Sequence, residues 1–153
     1  MKRKIISVIS VVLIAAALTG CGGGADVDAG ALADELKAQV AYNDDLSSID
    51  LDTAGMFYSF GDADIAEAYF YESSGATAEE IAVIKCSSDA DAGKVEEVLK
   101  RRVEEQKESF KDYVPAELEK LNTAIVQRSG KCVILSVSDE PDKAREIIKK
   151  YTK

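Results

Sequence analysis

Histidine and tryptophan are absent from the 153-residue chain, and proline occurs only twice. Without histidine the chain cannot form a Ser-His-Asp or Cys-His catalytic group, or a zinc site with imidazole ligands. The lack of tryptophan weakens an interpretation as a protein that stacks sugars on indole rings. Neither a GxSxG sequence nor a P-loop is present. We therefore predict that the protein is not an enzyme and that it carries no cofactor.

Residues 1–20 have the order of a bacterial secretory signal. Basic residues at positions 2–4 precede an apolar stretch from Ile5 to Leu18, as in signal peptides. This stretch is shorter than the roughly 20 residues that a membrane-spanning helix needs. The pattern predicts export from the cytoplasm.

The end of this signal matches a lipobox, Leu18-Thr19-Gly20-Cys21. We predict cleavage between Gly20 and Cys21 and attachment of a lipid to the Cys21 thiol. The protein would then lie at the outer, extracytoplasmic face of the cell membrane. The alternatives are an ordinary signal peptide followed by a chance cysteine, or an uncleaved anchor.

Residues 21–27 contain three consecutive glycines and predict a flexible tether, which leaves 28–153 as a single domain. Three of the 19 basic residues and none of the 28 acidic residues precede Cys21, so the net charge of the remainder is −12. Such a domain repels nucleic acid. The expected contacts are the membrane, through the lipid, and an envelope protein or peptide.

The spacing of apolar residues predicts an α+β domain. The predicted elements are helices over about 28–42, 91–113 and from Pro141 nearly to the end, and strands over about 65–72, 80–87, 123–127 and 131–138. After the first helix, a strand-strand-helix order occurs twice. We predict a duplicated ββα unit, with a four-stranded antiparallel sheet and the two later helices on one face. The first helix would cover the other face or an edge.

Three segments carry a resemblance to a known family: 80–85, 110–115 and 130–135. Together with the lipobox, they resemble a family of small bacterial lipoproteins catalogued only as a domain of unknown function. The resemblance extends from the first predicted helix to the last. It implies no activity, substrate or catalytic residue.

Acidic residues offer two alternative functions. Asp62-Ala63-Asp64 and Asp89-Ala90-Asp91 could ligate calcium, which prefers carboxylates, although turn and helix-cap chemistry explains both motifs. A pair of carboxylates could also hydrolyse a glycosidic bond. No pair is marked by apolar neighbours that would raise a pKa, so we predict a binding module rather than a hydrolase or a calcium domain.

Three further features have competing interpretations. The apolar cluster over 56–60 is either a ligand-contacting surface or a plug over the core, and we favour the plug. Basic residues 100–102 lie among glutamates at helical spacing, which predicts a solvated, self-paired face. Strand alternation places Cys86 and Cys132 on opposite faces of the sheet, so we predict no disulfide between them.

Overall fold

The computed structural model describes residues 26–153. The predicted signal peptide, Cys21 and most of the tether lie outside the described residues. The elements are α1 (Ala29–Gln39), β1 (Ser47–Ile49), α2 (Leu51–Ala54), β2 (Ile65–Glu72), β3 (Glu80–Cys86), α3 (Asp89–Phe110), α4 (Leu118–Asn122), β4 (Ile125–Ser129), β5 (Cys132–Val137) and α5 (Pro141–Tyr151). In the part of the chain that the structure describes, no helix is long and apolar enough to cross a membrane.

Within residues 26–153 the sheet is antiparallel throughout and has five strands in the order β1-β2-β3-β5-β4. The prediction of four strands was therefore wrong. The additional edge strand β1 pairs with β2, with Ser48 opposite Tyr71. It is only three residues long, and two of them are exposed, so the sequence has no alternation there that would indicate a strand.

Helices cover both faces of the sheet. One face packs against α2, α3 and α4, through Ala82 and Ile84 of β3 among others. The opposite face packs against α1 and α5, through Ile81 and Val83. The prediction that α3 and α5 share a face was wrong, and the duplication of a ββα unit is not confirmed. The physical reason is that β3 and β5 are apolar on both sides, so each face needs helices to exclude water.

Side chains cap two of the three helices that the sequence predicted, α1 and α3. The Asp28 carboxylate accepts a hydrogen bond from the Ala31 amide at 3.0 Å, which starts α1. The Ser88 hydroxyl accepts one from the Asp91 amide at 3.1 Å, which starts α3. The apolar spacing of α3 predicts a buried stripe made of Val95, Leu99, Val103, Phe110 and Tyr113. Because α3 ends at Phe110, Tyr113 lies beyond this stripe and is exposed, so the prediction was wrong for it.

The two described cysteines are free, and both are buried. Cys86 belongs to the core beneath α3, whereas Cys132 belongs to the core beneath α1 and α5. Cys132 lies opposite Lys85, one position away from Cys86. The predicted assignment of the two thiols to opposite faces is confirmed.

Candidate functional site

Two glutamates face each other where the β2–β3 hairpin begins its loop. Glu72 ends β2, Glu80 begins β3, and the two residues are directly opposite in the sheet. Like charges at opposite positions of an antiparallel pair repel each other. The side chain of Glu80 is 1% exposed and that of Glu72 is 13% exposed. Such a pair needs compensating partners.

Arg102 of α3 supplies the positive charge, chiefly to Glu80. Its Nε lies 3.2 Å from Glu80 Oε2, and one terminal nitrogen lies 3.1 Å from the same oxygen. The nearest Arg102 contact to Glu72 is 3.6 Å. The guanidinium carbon lies 5.3 Å from the centre of the Tyr58 ring and 5.6 Å from that of Phe57, which adds cation–π attraction.

Tyr58 bridges the two carboxyl groups from the turn that follows α2. Its hydroxyl lies 3.0 Å from Glu72 Oε1 and also contacts Glu80 Oε1. The Tyr58 ring is buried and stacks on Phe60 at 5.3 Å between ring centres. Burial raises the pKa of Tyr58 well above its usual value, and the neighbouring carboxylates raise it further. The phenol is therefore a hydrogen-bond donor at neutral pH.

The surroundings of Glu72 and Arg102 shift the pKa values of both side chains. Burial, and then the charge of Glu80, raise the pKa of Glu72 to about 8, against the opposing effect of Arg102. Burial is the largest single influence on Arg102 and would lower its pKa, but the charge and hydrogen bond of Glu80, together with Tyr58 and Glu72, outweigh burial, so that pKa is raised. At neutral pH, Glu72 consequently holds a proton while Arg102 pairs with Glu80. This overturns our expectation that no carboxyl pair has an environment that raises a pKa.

A cleft of about 360 Å³ opens beside Glu72. Glu72 and Arg102 line it together with the hairpin loop over 73–77. Gln106 and Phe110 of α3 line it as well. Glu80 is not among its lining residues, so Glu72 is the carboxyl that the cleft reaches.

Exposed apolar surface concentrates near this cleft. The large hydrophobic side chains exposed among residues 26–153 are Leu51, Met56, Phe57 and Tyr113. Phe57, 45% exposed, and Tyr113, 69% exposed, line the cleft. Leu51 and Met56 belong to the same short segment as Phe57. The 56–60 cluster therefore divides: Tyr58 and Phe60 plug the core as expected, whereas Met56 and Phe57 are exposed.

A second set of buried charges surrounds Lys120 of α4. Its ammonium lies 3.1 Å from Glu79 Oε1 and 3.1 Å from Glu117 Oε1. Glu79 also accepts hydrogen bonds from the backbone amides of Asn43 and Asp44. Because these groups satisfy one another and are closed to solvent, we assign them a structural role in joining the loop after α1 to α4.

The two acidic motifs lie near each other but surround a lysine. Lys94 contacts Asp62 at 3.1 Å and Asp91 at 3.3 Å. Asp91 also belongs to the cap of α3 through Ser88. Among the described residues, no group of three or more potential ligands could hold a metal ion. The two motifs are therefore joined by the ammonium group of Lys94 and not by a set of metal ligands.

The basic cluster over 100–102 divides between the surface and the interior. Lys100 and Arg101 form exposed ion pairs with glutamates of α3, as the helical spacing predicted. Arg102 turns inward, and the prediction of a wholly solvated face was wrong for it. The signal that could have found it is its position three residues after Leu99 and seven after Val95, on the buried stripe of α3.

Residues 38–138 match the family described as Domain of unknown function (DUF4358). The chain belongs to the DUF4358 family. The match contains both buried charge sets and the whole cleft, whereas α5 and most of α1 lie outside it. No curated protein and no solved structure shows significant similarity to the chain. The predicted membership in a family of unknown function is confirmed, and lipid attachment stays a prediction.

Proposed function

We propose that this DUF4358 protein is a lipid-anchored extracytoplasmic binding module whose cleft beside Glu72 holds a segment of an envelope protein or a peptide. The observation that carries the proposal is the exposed apolar surface at Phe57 and Tyr113. Exposed apolar patches rimmed by polar residues are typical of interaction sites. The lipobox at Cys21 supports the anchoring.

The position of the cleft in the sheet is consistent with this role. Asp26, the first described residue, pairs with Lys85 at 2.6 Å, and Lys85 lies opposite Glu67 in the β2–β3 pair. Glu72 lies five residues further along β2, about 16 Å away at a rise of about 3.3 Å per residue. The first described residue therefore lies at the opposite end of β2 from the cleft, which leaves the mouth of the cleft clear of the point where the predicted tether joins the domain.

Crosslinking in living cells tests the proposal. A photoreactive phenylalanine analogue at Tyr113 should give a discrete protein adduct. The same analogue at Lys143, exposed on α5, should give none. Adding Phe57→Ser to the Tyr113 probe should remove the adduct, because it removes apolar surface from the cleft. Identical adducts from both probe positions, or no dependence on Phe57, would contradict the proposal.

A carboxylate-based hydrolase is the second candidate, because Glu72 is a carboxyl group of raised pKa in a cleft. Glycoside hydrolysis needs two carboxyl groups flanking the scissile bond. Glu80 is buried behind Glu72 and shares its partners Tyr58 and Arg102, so a second reactive group is not available to substrate. We expect no turnover of chromogenic glycosides. Turnover that disappears in Glu72→Gln would favour the enzyme.

A further inference from the structure

We propose that the cleft recognises a basic side chain of an extended peptide, with the lysine ammonium or arginine guanidinium bound to the Glu72 carboxylate. This inference rests on the proposed binding function and specifies its ligand. It is carried by the charge balance at Glu72, by the aromatic lining of the cleft and by the net charge of the domain.

When Glu72 is ionised, the charge balance of the site leaves room for one cation. Two carboxyl groups, Glu72 and Glu80, share the guanidinium of Arg102, which lies closer to Glu80. Ser47 of β1 pairs with Glu72 across the sheet and contributes no charge. Tyr58 occupies one Glu72 oxygen at 3.0 Å, and a carboxylate offers about four acceptor positions. A ligand cation would pair with the carboxyl group that Arg102 serves least.

The other lining groups suit an organic cation. Phe57, Phe110 and Tyr113 bring aromatic rings to the same cavity, and rings attract ammonium and guanidinium groups. Ser109 and Gln106 add side-chain oxygens that can accept hydrogen bonds from such groups. An inorganic cation would gain little from the three aromatic side chains, which instead fit the methylene stem of lysine or arginine.

The domain as a whole favours a basic partner. From Cys21 to the C-terminus the net charge is −12, and long-range electrostatics of this sign attract cationic segments and repel anionic ones. Leu51 and Met56 are exposed beside Phe57 in the sequence but do not line the cavity. They would contact residues that flank the basic side chain, which favours a peptide over a free amine.

Binding should displace the proton on Glu72. A cation at this position stabilises the carboxylate, so the ligand binds the ionised form and releases up to one proton per site. Below pH 8 the dissociation constant should then fall up to tenfold for each unit by which the pH rises.

Calorimetry with the whole protein, purified from membranes in detergent, tests the inference. The probe is a blocked five-residue peptide with lysine between two leucines. Matched peptides carry norleucine or N-acetyl-lysine in its place, and methylammonium serves as the free amine. Titrations at pH 7 in two buffers of different ionisation enthalpy measure the proton release.

We expect the lysine peptide to bind at least tenfold more tightly than either neutral peptide, with proton release that Glu72→Gln abolishes. Glu97→Gln, a change on the exposed side of α3, should alter neither quantity. The comparison of peptides on the unaltered protein does not depend on any variant folding.

Three results would overturn the inference. Equal affinity for the norleucine peptide would show an apolar site. Equal affinity for methylammonium would show a receptor for free amines. If the lysine peptide does not bind while the Tyr113 crosslink forms, the ligand class is wrong and the binding function stands. If the Tyr113 probe forms no crosslink in the protein with Phe57 in place, the binding function itself is contradicted.

Discussion

Arg102 and Glu80 form the buried ion pair on which the hairpin end of the sheet depends. The guanidinium donates through Nε to both carboxylate oxygens, at 3.3 and 3.2 Å. Glu80 is 1% exposed and cannot recover this interaction from water. A buried charge whose partner is removed is costly, whereas an exposed pair contributes little.

Substitution of Arg102 should therefore destabilise the domain strongly. We expect Arg102→Met to lower the free energy of unfolding by about 3–5 kcal/mol, since it leaves the Glu80 carboxylate buried with the Tyr58 hydroxyl but without a positive charge to pair with. The neighbouring Arg101→Met removes an exposed pair with Glu105 and should stay within about 0.5 kcal/mol of the unaltered protein. Urea unfolding at pH 7 measures both.

A second variant separates loss of the charge pair from loss of packing. Adding Glu80→Gln to Arg102→Met neutralises the stranded carboxylate and should recover part of the lost stability. If the double variant is less stable than Arg102→Met alone, the guanidinium acts mainly through its packing on Phe57 and Tyr58.

The raised pKa of Glu72 should make stability fall as the pH rises. The pKa is about 8 in the folded protein against an ordinary value of 4.5. The folded state therefore binds the proton more tightly than the unfolded state. The resulting stabilisation is complete below pH 4.5 and is lost as the pH rises to about 8, with a slope of at most about 1.4 kcal/mol per pH unit.

The difference between the unaltered protein and Glu72→Gln isolates this effect. Glutamine resembles the protonated acid, so the variant should fold at neutral pH and lack the slope between pH 5 and 8. The chain has no histidine, so no side chain with an ordinary pKa in this window obscures the measurement. Parallel stability curves for the two proteins would show that Glu72 is ionised throughout.

Much of the fold could be predicted because its signals are local. Strand β2 was predicted over 65–72 and is observed over Ile65–Glu72, and α5 begins at Pro141 as expected. Alternation within single strands also assigned the two cysteines to opposite faces. The placement of α5 was missed because both faces of β3 and β5 are apolar, so pattern alone does not say which face a helix covers.

The candidate site could not be predicted because its parts lie far apart in the chain. Glu72 and Glu80 meet through the sheet register, and Arg102 reaches them from a helix that packs across that face. In the sequence, Arg102 resembles Lys100 and Arg101. Only its position on the buried side of α3 sets it apart, and the glutamates that it meets come from strands that the folded chain alone brings beside α3.

Replacement of Cys21 tests the predicted anchor independently of the folded domain. Cys21→Ser should remove the acceptor thiol and leave the precursor uncleaved at this position. Metabolic labelling with a fatty-acid analogue should mark the unaltered protein and not the variant. Label at an undiminished level on Cys21→Ser would refute the lipoprotein prediction, while the cleft experiments would remain valid for an unanchored protein.

The cysteines of the domain should remain reduced although export would permit a disulfide. Cys86 and Cys132 point to opposite faces, and a disulfide needs Cβ vectors that converge. Burial raises the pKa of Cys86 to about 11, with Asp91 and Asp64 contributing. Burial also raises the pKa of Cys132 to about 12, against the opposing effect of Lys85.

Thiol titration checks this expectation in two steps. Because both thiols are buried and protonated, the native protein should react slowly with a thiol reagent at pH 7.5. After denaturation without reductant, and with the Cys21 thiol lipidated or replaced by serine, two free thiols should titrate. Finding none, with a mass two units below that of the reduced protein, would mean that the strand register between β3 and β5 is wrong. A one-residue slip of this pairing would carry one cysteine to the face of the other.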